Sequence, residues 1–131
     1  MVERSARPLS PHLGVWRWGP GMAASIFHRI SGSGLTVVGL AVLTWWLLAL
    51  STGSDAYGDF AAITGTWVGK IVLIGLTWAF FQHLLSGVRH LVMDTGENME
   101  LGPNKTGAIA TFIGAILLTA AVWFYFLGAV K

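Results

Sequence analysis

Residues 67–94, WVGKIVLIGLTWAFFQHLLSGVRHLVMD, form an apolar run long enough to cross a bilayer, since about 20 helical residues suffice. His83 lies inside this run, and Arg89 and His90 follow near its end. An ionisable side chain at such depth costs on the order of 3 kcal/mol and usually marks a site. The fold must therefore give His83 something to hold or something to be held by.

Small residues line up with that histidine. Gly75, Ala79, His83 and Gly87 recur every fourth residue and form one narrow stripe on a helix. Such stripes in membrane helices allow close approach to the backbone. One reading is a second helix packed on the stripe. Another is a flat macrocycle lying there, with His83 bound to its iron. Intramembrane histidines also serve proton relays and plain hydrogen bonds.

Two further apolar runs are present in the chain, which has 131 residues, 54% of them hydrophobic and only 11% charged. Soluble domains carry about 25% charged residues, so this chain lives mostly in lipid. The net charge of +2 does not point to nucleic acid, because the basic residues flank apolar runs and form no long basic stretch. No cysteine is present, which excludes disulfides, thiolate-bound zinc and iron–sulfur clusters held by this chain. Any metal must rest on histidine, carboxylate or a partner subunit. No signal peptide or organelle transit segment is expected, because the first residues hold no apolar core before a cleavage site.

An all-α fold follows, one domain with three transmembrane helices. Residues 1–24 are a surface segment whose prolines and glycines forbid a long helix; Trp16 and Trp18 suit the headgroup level. Helix I spans 25–50, beginning beyond the Gly19-Pro20-Gly21 break. Helix II spans 67–93 and helix III 107–128, with loops over 51–66 and 93–106. Gly102-Pro103-Asn104 reads as a turn before helix III. Gly32, Gly34 and Gly39 give helix I a thin side for packing.

Lysine and arginine are distributed unevenly. Arg4, Arg7, Arg17, Arg29, Arg89 and Lys105 flank one side, against Lys70 and Lys131 on the other. The positive-inside rule places the N-terminus in the cytoplasm and the C-terminus in the periplasm of a bacterial inner membrane. Ser25, His28, Arg29, Arg89, His90 and Asp94 then gather at one membrane face, with His83 deeper by about 10 Å along its helix. Ser25, His28, Arg29 and Gly32 share a face of helix I. His90 and Asp94, one turn apart, can hydrogen-bond to each other.

Two chemistries fit this set. Haem b needs axial imidazoles and partners for two propionates. His83 is the only deep histidine, which points to another subunit for a second axial ligand; His28 is a poor candidate, being near the surface. Arg29, Arg89, His28 and His90 offer charge-assisted bonds to carboxylates. A quinone needs hydrogen-bond donors at the lipid edge, and Ser25 with Arg29 would serve. The bland alternative for the same residues is snorkelling to headgroups.

RPLSPHL (7–13), SIFHRISG (25–32) and HLLSGVRHLVMD (83–94) together resemble the cytochrome b membrane anchor of succinate dehydrogenase, respiratory complex II. The three stretches fall in the family's order and cover nearly the whole three-span plan. The resemblance implies a larger succinate:quinone oxidoreductase of the tricarboxylic acid cycle and respiratory chain. A flavoprotein oxidises succinate there, an iron–sulfur subunit relays the electrons, and two small membrane subunits pack around haem b and ubiquinone. It implies that His83 is the iron ligand and that Ser25 and Arg29 line the quinone pocket. His28, Arg29, Arg89 and His90 would surround the propionates. Arg7, Pro8, Ser10, Pro11 and His12 would dock on the iron–sulfur subunit. Trp16 stands where the family often has tyrosine, which preserves an interfacial aromatic. A haem-free anchor of a related complex is the alternative. A cytochrome b subunit of another quinone-linked dehydrogenase is a further one, but usually pairs deep histidines within one chain.

Overall fold

The computed structural model describes residues 17–129, all of whose regular elements are helical. Three helices are long and apolar enough to cross a membrane: α1 (Pro20–Thr52), α3 (Trp67–Asp94) and α4, which runs Leu101–Ala129. A short helix, α2 (Ser54–Thr64), links the first two. Asp55, in its first turn, suits the positive end of the helix dipole.

Two helices begin earlier than expected, and proline is the reason in both. The Gly19-Pro20-Gly21 stretch does not precede α1 but starts it. Gly19 caps the helix with extended backbone, Pro20 takes a first-turn position, and Ala23 N–H closes the first turn on the Gly19 carbonyl at 3.1 Å. A first-turn amide has no intrahelical partner, so proline loses nothing there. Likewise Pro103 falls in the first turn of α4, and Asn104 N–H bonds the Glu100 carbonyl at 2.9 Å. What reads as a turn is a helix start. The expected 51–66 loop is mostly α2, seated by an edge-on contact of Phe60 with Trp45, ring centres 4.8 Å apart.

Inside α1 the residues Leu35–Gly39 wind as a π-helix, and Leu40 N–H reaches the Leu35 carbonyl. The extra residue offsets the faces of the two halves of α1 from one another. At the other end Thr66 caps α3 by accepting from Gly69 N–H at 3.1 Å.

Helices α1, α3 and α4 all pack on one another. The core is built of small and polar residues: Ala24, Ser31, Ala108 and Ala115, with Gln82, Ser86 and Thr111. In lipid no hydrophobic force drives helices together, so close backbone approach and interhelical hydrogen bonds take its place. A Cβ on Gly114 would stand 2.8 Å from Leu85 Cδ1, which marks how near α4 comes to α3. Phe27 of α1 meets Trp78 of α3 and Phe112 of α4 edge-on, at 5.9 and 5.4 Å, and so joins all three. The large side chains point outward, among them Ile30, Leu48, Ile71, Leu91, Ile116 and Phe124.

Candidate functional site: an imidazole cluster between two helices

His83 sits on α3 where that helix faces α1. Its Nδ1 lies 3.0 Å from the His28 carbonyl oxygen. A carbonyl only accepts, so Nδ1 carries the proton, and a neutral ring then keeps its lone pair on Nε2. The same carbonyl also accepts from Ser31 Oγ at 3.0 Å. The ring reaches this backbone because Gly32 lacks a side chain. A Cβ there would stand 2.7 Å from His83 Cε1 and 3.1 Å from Nδ1.

His28 does more than lend its carbonyl. Its ring lies face to face with that of His83, centres 4.1 Å apart and planes within 3°. His90 meets the His28 ring edge-on at 5.1 Å. A Cβ on Gly87 would lie 3.8 Å from His28 Nε2. The stack therefore runs along α3 over Gly87, between His83 and His90. At that glycine the small stripe carries a helix-borne side chain, whereas nothing lies within 4 Å of the Cβ position of Gly75. His90 turns to His28 and not along its own helix to Asp94.

Two rings stacked this closely leave no space for a macrocycle between them. His28 and His83 therefore cannot hold a flat group between their faces. Among the described residues no three His, Asp or Glu side chains converge where a bare metal ion would sit. Within the cluster, Nε2 of His83 is an imidazole nitrogen backed by a hydrogen bond on the other nitrogen of its ring. Such backing orients a metal-binding histidine and strengthens its basicity.

Ser25 is half-buried and Arg29 exposed, one turn apart on α1 at the same end as the cluster. Arg89 is committed elsewhere: its Nη2 donates to Asn104 Oδ1 of α4 at 2.8 Å. Gly21 of α1 lies against that Asn104 oxygen, and Gly107 against the Arg89 side chain. Arg89 thereby fastens α3 to the first turn of α4 beside the start of α1. Arg7, Pro8, Ser10, Pro11 and His12 lie outside the described residues.

Two features were missed in whole or in part. Gly32 was legible as a small residue on the His28 face and on the thin packing side of helix I, but nothing local says which side chain will rest on it. The buried pair Gln82 and Ser86 was readable as polar residues one turn apart within an apolar run. A groove of about 960 Å³, lined by Leu35, Gly39, Leu76, Phe80 and Trp123 among others, is almost wholly apolar and includes none of the histidines.

Fold and cluster together define a helical membrane subunit with an imidazole-rich site near one end of its helix bundle. The chain belongs to the succinate dehydrogenase/fumarate reductase transmembrane subunit family, whose profile matches residues 3–122. It is 39% identical over 128 residues to the succinate dehydrogenase cytochrome b556 subunit of Paracoccus denitrificans, covering 95% of this chain and 98% of that one. The cytochrome b556 subunit of Rickettsia felis is 33% identical, covering 89% of this chain and 90% of its own. The mitochondrial cytochrome b560 subunit of Mus musculus is 31% identical, covering 86% and 68% respectively.

Proposed function

We propose that this chain is a membrane anchor of a succinate:quinone oxidoreductase, holding haem b on His83 and helping to form the ubiquinone site. The observation that carries the reading is the 3.0 Å approach of His83 Nδ1 to the His28 carbonyl oxygen. It leaves Nε2 as the lone-pair nitrogen, as an iron ligand requires. Gly32 supplies the seat that the imidazole needs. The relatives named cytochrome b556 and b560 support the same assignment.

When bound, haem b supplies a one-electron store beside the quinone site. The work of this chain is to hold and orient. His83 would hold the haem iron from this chain, and a second small membrane subunit would supply a further ligand. His28 and His90, beside His83, would offer hydrogen bonds to the haem carboxylates, and Arg29, exposed on α1, would add a positive charge. Arg89 is bonded to Asn104, so its contribution to that rim is mainly to fasten the helices that form it. Ser25 Oγ and the Arg29 guanidinium donate hydrogen bonds to a quinone oxygen at the membrane edge. Arg29 stabilises the negative charge that builds there as electrons arrive.

The N-terminal segment, with Arg7, Pro8, Ser10, Pro11 and His12, docks on the iron–sulfur subunit, which in turn carries the flavoprotein. This puts the N-terminus in the cytoplasm and the C-terminus in the periplasm of a bacterial inner membrane. Replacing His83 with alanine in the purified complex tests the central assignment. The expected result is loss or alteration of the dithionite-reduced haem band and of the haem-to-flavin ratio. An unchanged spectrum would overturn it.

A further inference from the structure

Helix α3 carries two polar seams offset by one residue. His83, Gly87 and His90 face α1, while Gln82, Ser86 and Arg89 face α4. Gln82 and Ser86 are wholly inaccessible, at 0% exposure, and among the described residues are the largest side chains so enclosed. Gln82 Nε2 donates to Ser86 Oγ at 3.1 Å and to Thr111 Oγ1 of α4 at 3.4 Å. The Thr111 hydroxyl proton is already given to the Ala108 carbonyl at 2.8 Å. Its oxygen can therefore only accept, which fixes which end of the carboxamide faces α4. The other end, Gln82 Oε1, is buried with no partner.

That arrangement is a poor way to hold two helices together. An unmatched buried acceptor is costly, and a leucine of similar size would avoid it. What a single buried polar side chain supplies instead is register, often at the expense of stability. The residue next in sequence is His83. Each residue of slip turns a helix face by about 100°, which would carry the imidazole off Gly32. Toward α1, among the described residues, the hydrogen bond that aims α3 is the one His83 itself makes. Toward α4, Arg89 anchors one end and Trp123 Nε1, bonded to Thr77 Oγ1 at 3.3 Å, another. Gln82 with Thr111 is the polar contact beside the imidazole itself.

We propose that Gln82 is a positioning residue for His83: through Thr111 it sets the rotation and axial position of α3 on α4, and so the direction of the adjacent imidazole. The proposal rests on His83 being a haem ligand. It is tested in the purified, assembled complex carrying Gln82→Leu, Thr111→Val, both together, or Thr111→Ser. The readouts are the low-spin haem electron paramagnetic resonance line, the haem midpoint potential and the thermal midpoint of the complex.

Haem content per flavin is expected to stay at the wild-type level. The resonance line and the potential shift in the same direction in Gln82→Leu and Thr111→Val. The double variant shifts no further than Gln82→Leu alone, and Thr111→Ser, which keeps the hydroxyl, behaves as wild type. The thermal midpoint of Gln82→Leu equals or exceeds that of wild type. An unmoved line and potential in both single variants would overturn the proposal. So would shifts that add in the double variant, or shifts that come only with a lowered thermal midpoint. Should Gln82→Leu fail to assemble, the contrast between Thr111→Val and Thr111→Ser decides alone. Failure of the ligand assignment is separate: an unchanged haem signal in His83→Ala reveals it without any change at Gln82.

Discussion

The two seams of α3 solve the same packing problem with different materials. Toward α1 the contact is a stack of aromatic rings resting on glycine, with one carbonyl bonded by the deep histidine. Toward α4 it is amide, hydroxyl and guanidinium groups set among alanines. The first seam holds groups that can bind something else. The second uses its polar atoms on the protein itself, except for one orphaned oxygen. A site that must stay available to a ligand cannot also be the main brace of its helix. The bracing has moved one residue round the helix, to the other neighbour.

Glycine substitutions expose the difference most sharply. A Cβ at Gly32 meets the His83 ring at 2.7 Å, and a Cβ at Gly114 meets Leu85 Cδ1 at 2.8 Å. The nominal overlaps are alike, but their costs should not be. His83 is pinned by its bond to the carbonyl only one turn from Gly32, so the ring cannot withdraw and keep that bond. Leu85 Cδ1 ends a flexible chain and can turn away. Gly32→Val is expected to reduce the haem-to-flavin ratio of the purified complex by about tenfold or more, consistent with an overpacking cost of about 1–3 kcal/mol. Gly114→Ala should leave that ratio near wild type. Equal haem loss in both variants would mean that the α1 seam is no more rigid than the other.

Breaking the α4 seam at its charged end gives the next largest effect. Arg89→Ala removes a charge-assisted bond to Asn104, a kind of bond that contributes about 1.5–3 kcal/mol. Arg89 is only half-buried, so the lower part of that range applies. The thermal midpoint should fall while the reduced haem band keeps its position. Asn104→Ala should lower the midpoint similarly, and the double variant by little more, because one interaction is lost in each case. A displaced haem band in Arg89→Ala would return Arg89 to the propionate rim.

At the membrane edge the expected effect concerns kinetics rather than stability. Ser25→Ala should raise the KM for quinone several-fold, in line with the loss of one hydrogen bond of about 1 kcal/mol. Succinate oxidation by a soluble artificial acceptor should be unaffected. Parallel loss of both activities would show that Ser25 supports the fold and not the pocket.

Much of this comparison could be read from the chain before any coordinates. The length of the apolar runs dictates three crossing helices, and the depth of His83 marks the site. Charge bias and spacing bring Ser25, His28, Arg29 and His90 to one end. What stayed hidden has physical causes. Proline breaks a helix in its interior but is harmless in the first turn, so Pro20 and Pro103 gave the same local pattern as turns. The π-helical winding at Leu35–Gly39 opens the long apolar stretch of α1, where one extra residue disturbs no visible pattern. The seat of His83 depends on a glycine from another helix, and no periodicity within α3 can show that. Gln82 was visible as a polar residue in the run, but its role depends on Thr111, 29 positions further on.

The smallest effect lies at the far end of the α4 seam, where Trp123 Nε1 donates to Thr77 Oγ1 at 3.3 Å. That hydroxyl also donates to the Leu73 carbonyl at 2.7 Å, so it stays satisfied without the tryptophan. Trp123→Phe keeps most of the aromatic surface and removes only the N–H. Interhelical bonds of this kind average about 0.6 kcal/mol in membranes, so the thermal midpoint should drop only slightly. Haem content, haem potential and quinone KM should all match wild type, because no polar contact links this end to His83. A change in haem potential here would mean that α3 transmits rotation along its whole length. Gln82 would then be one of several braces for the imidazole and not the one beside it that matters.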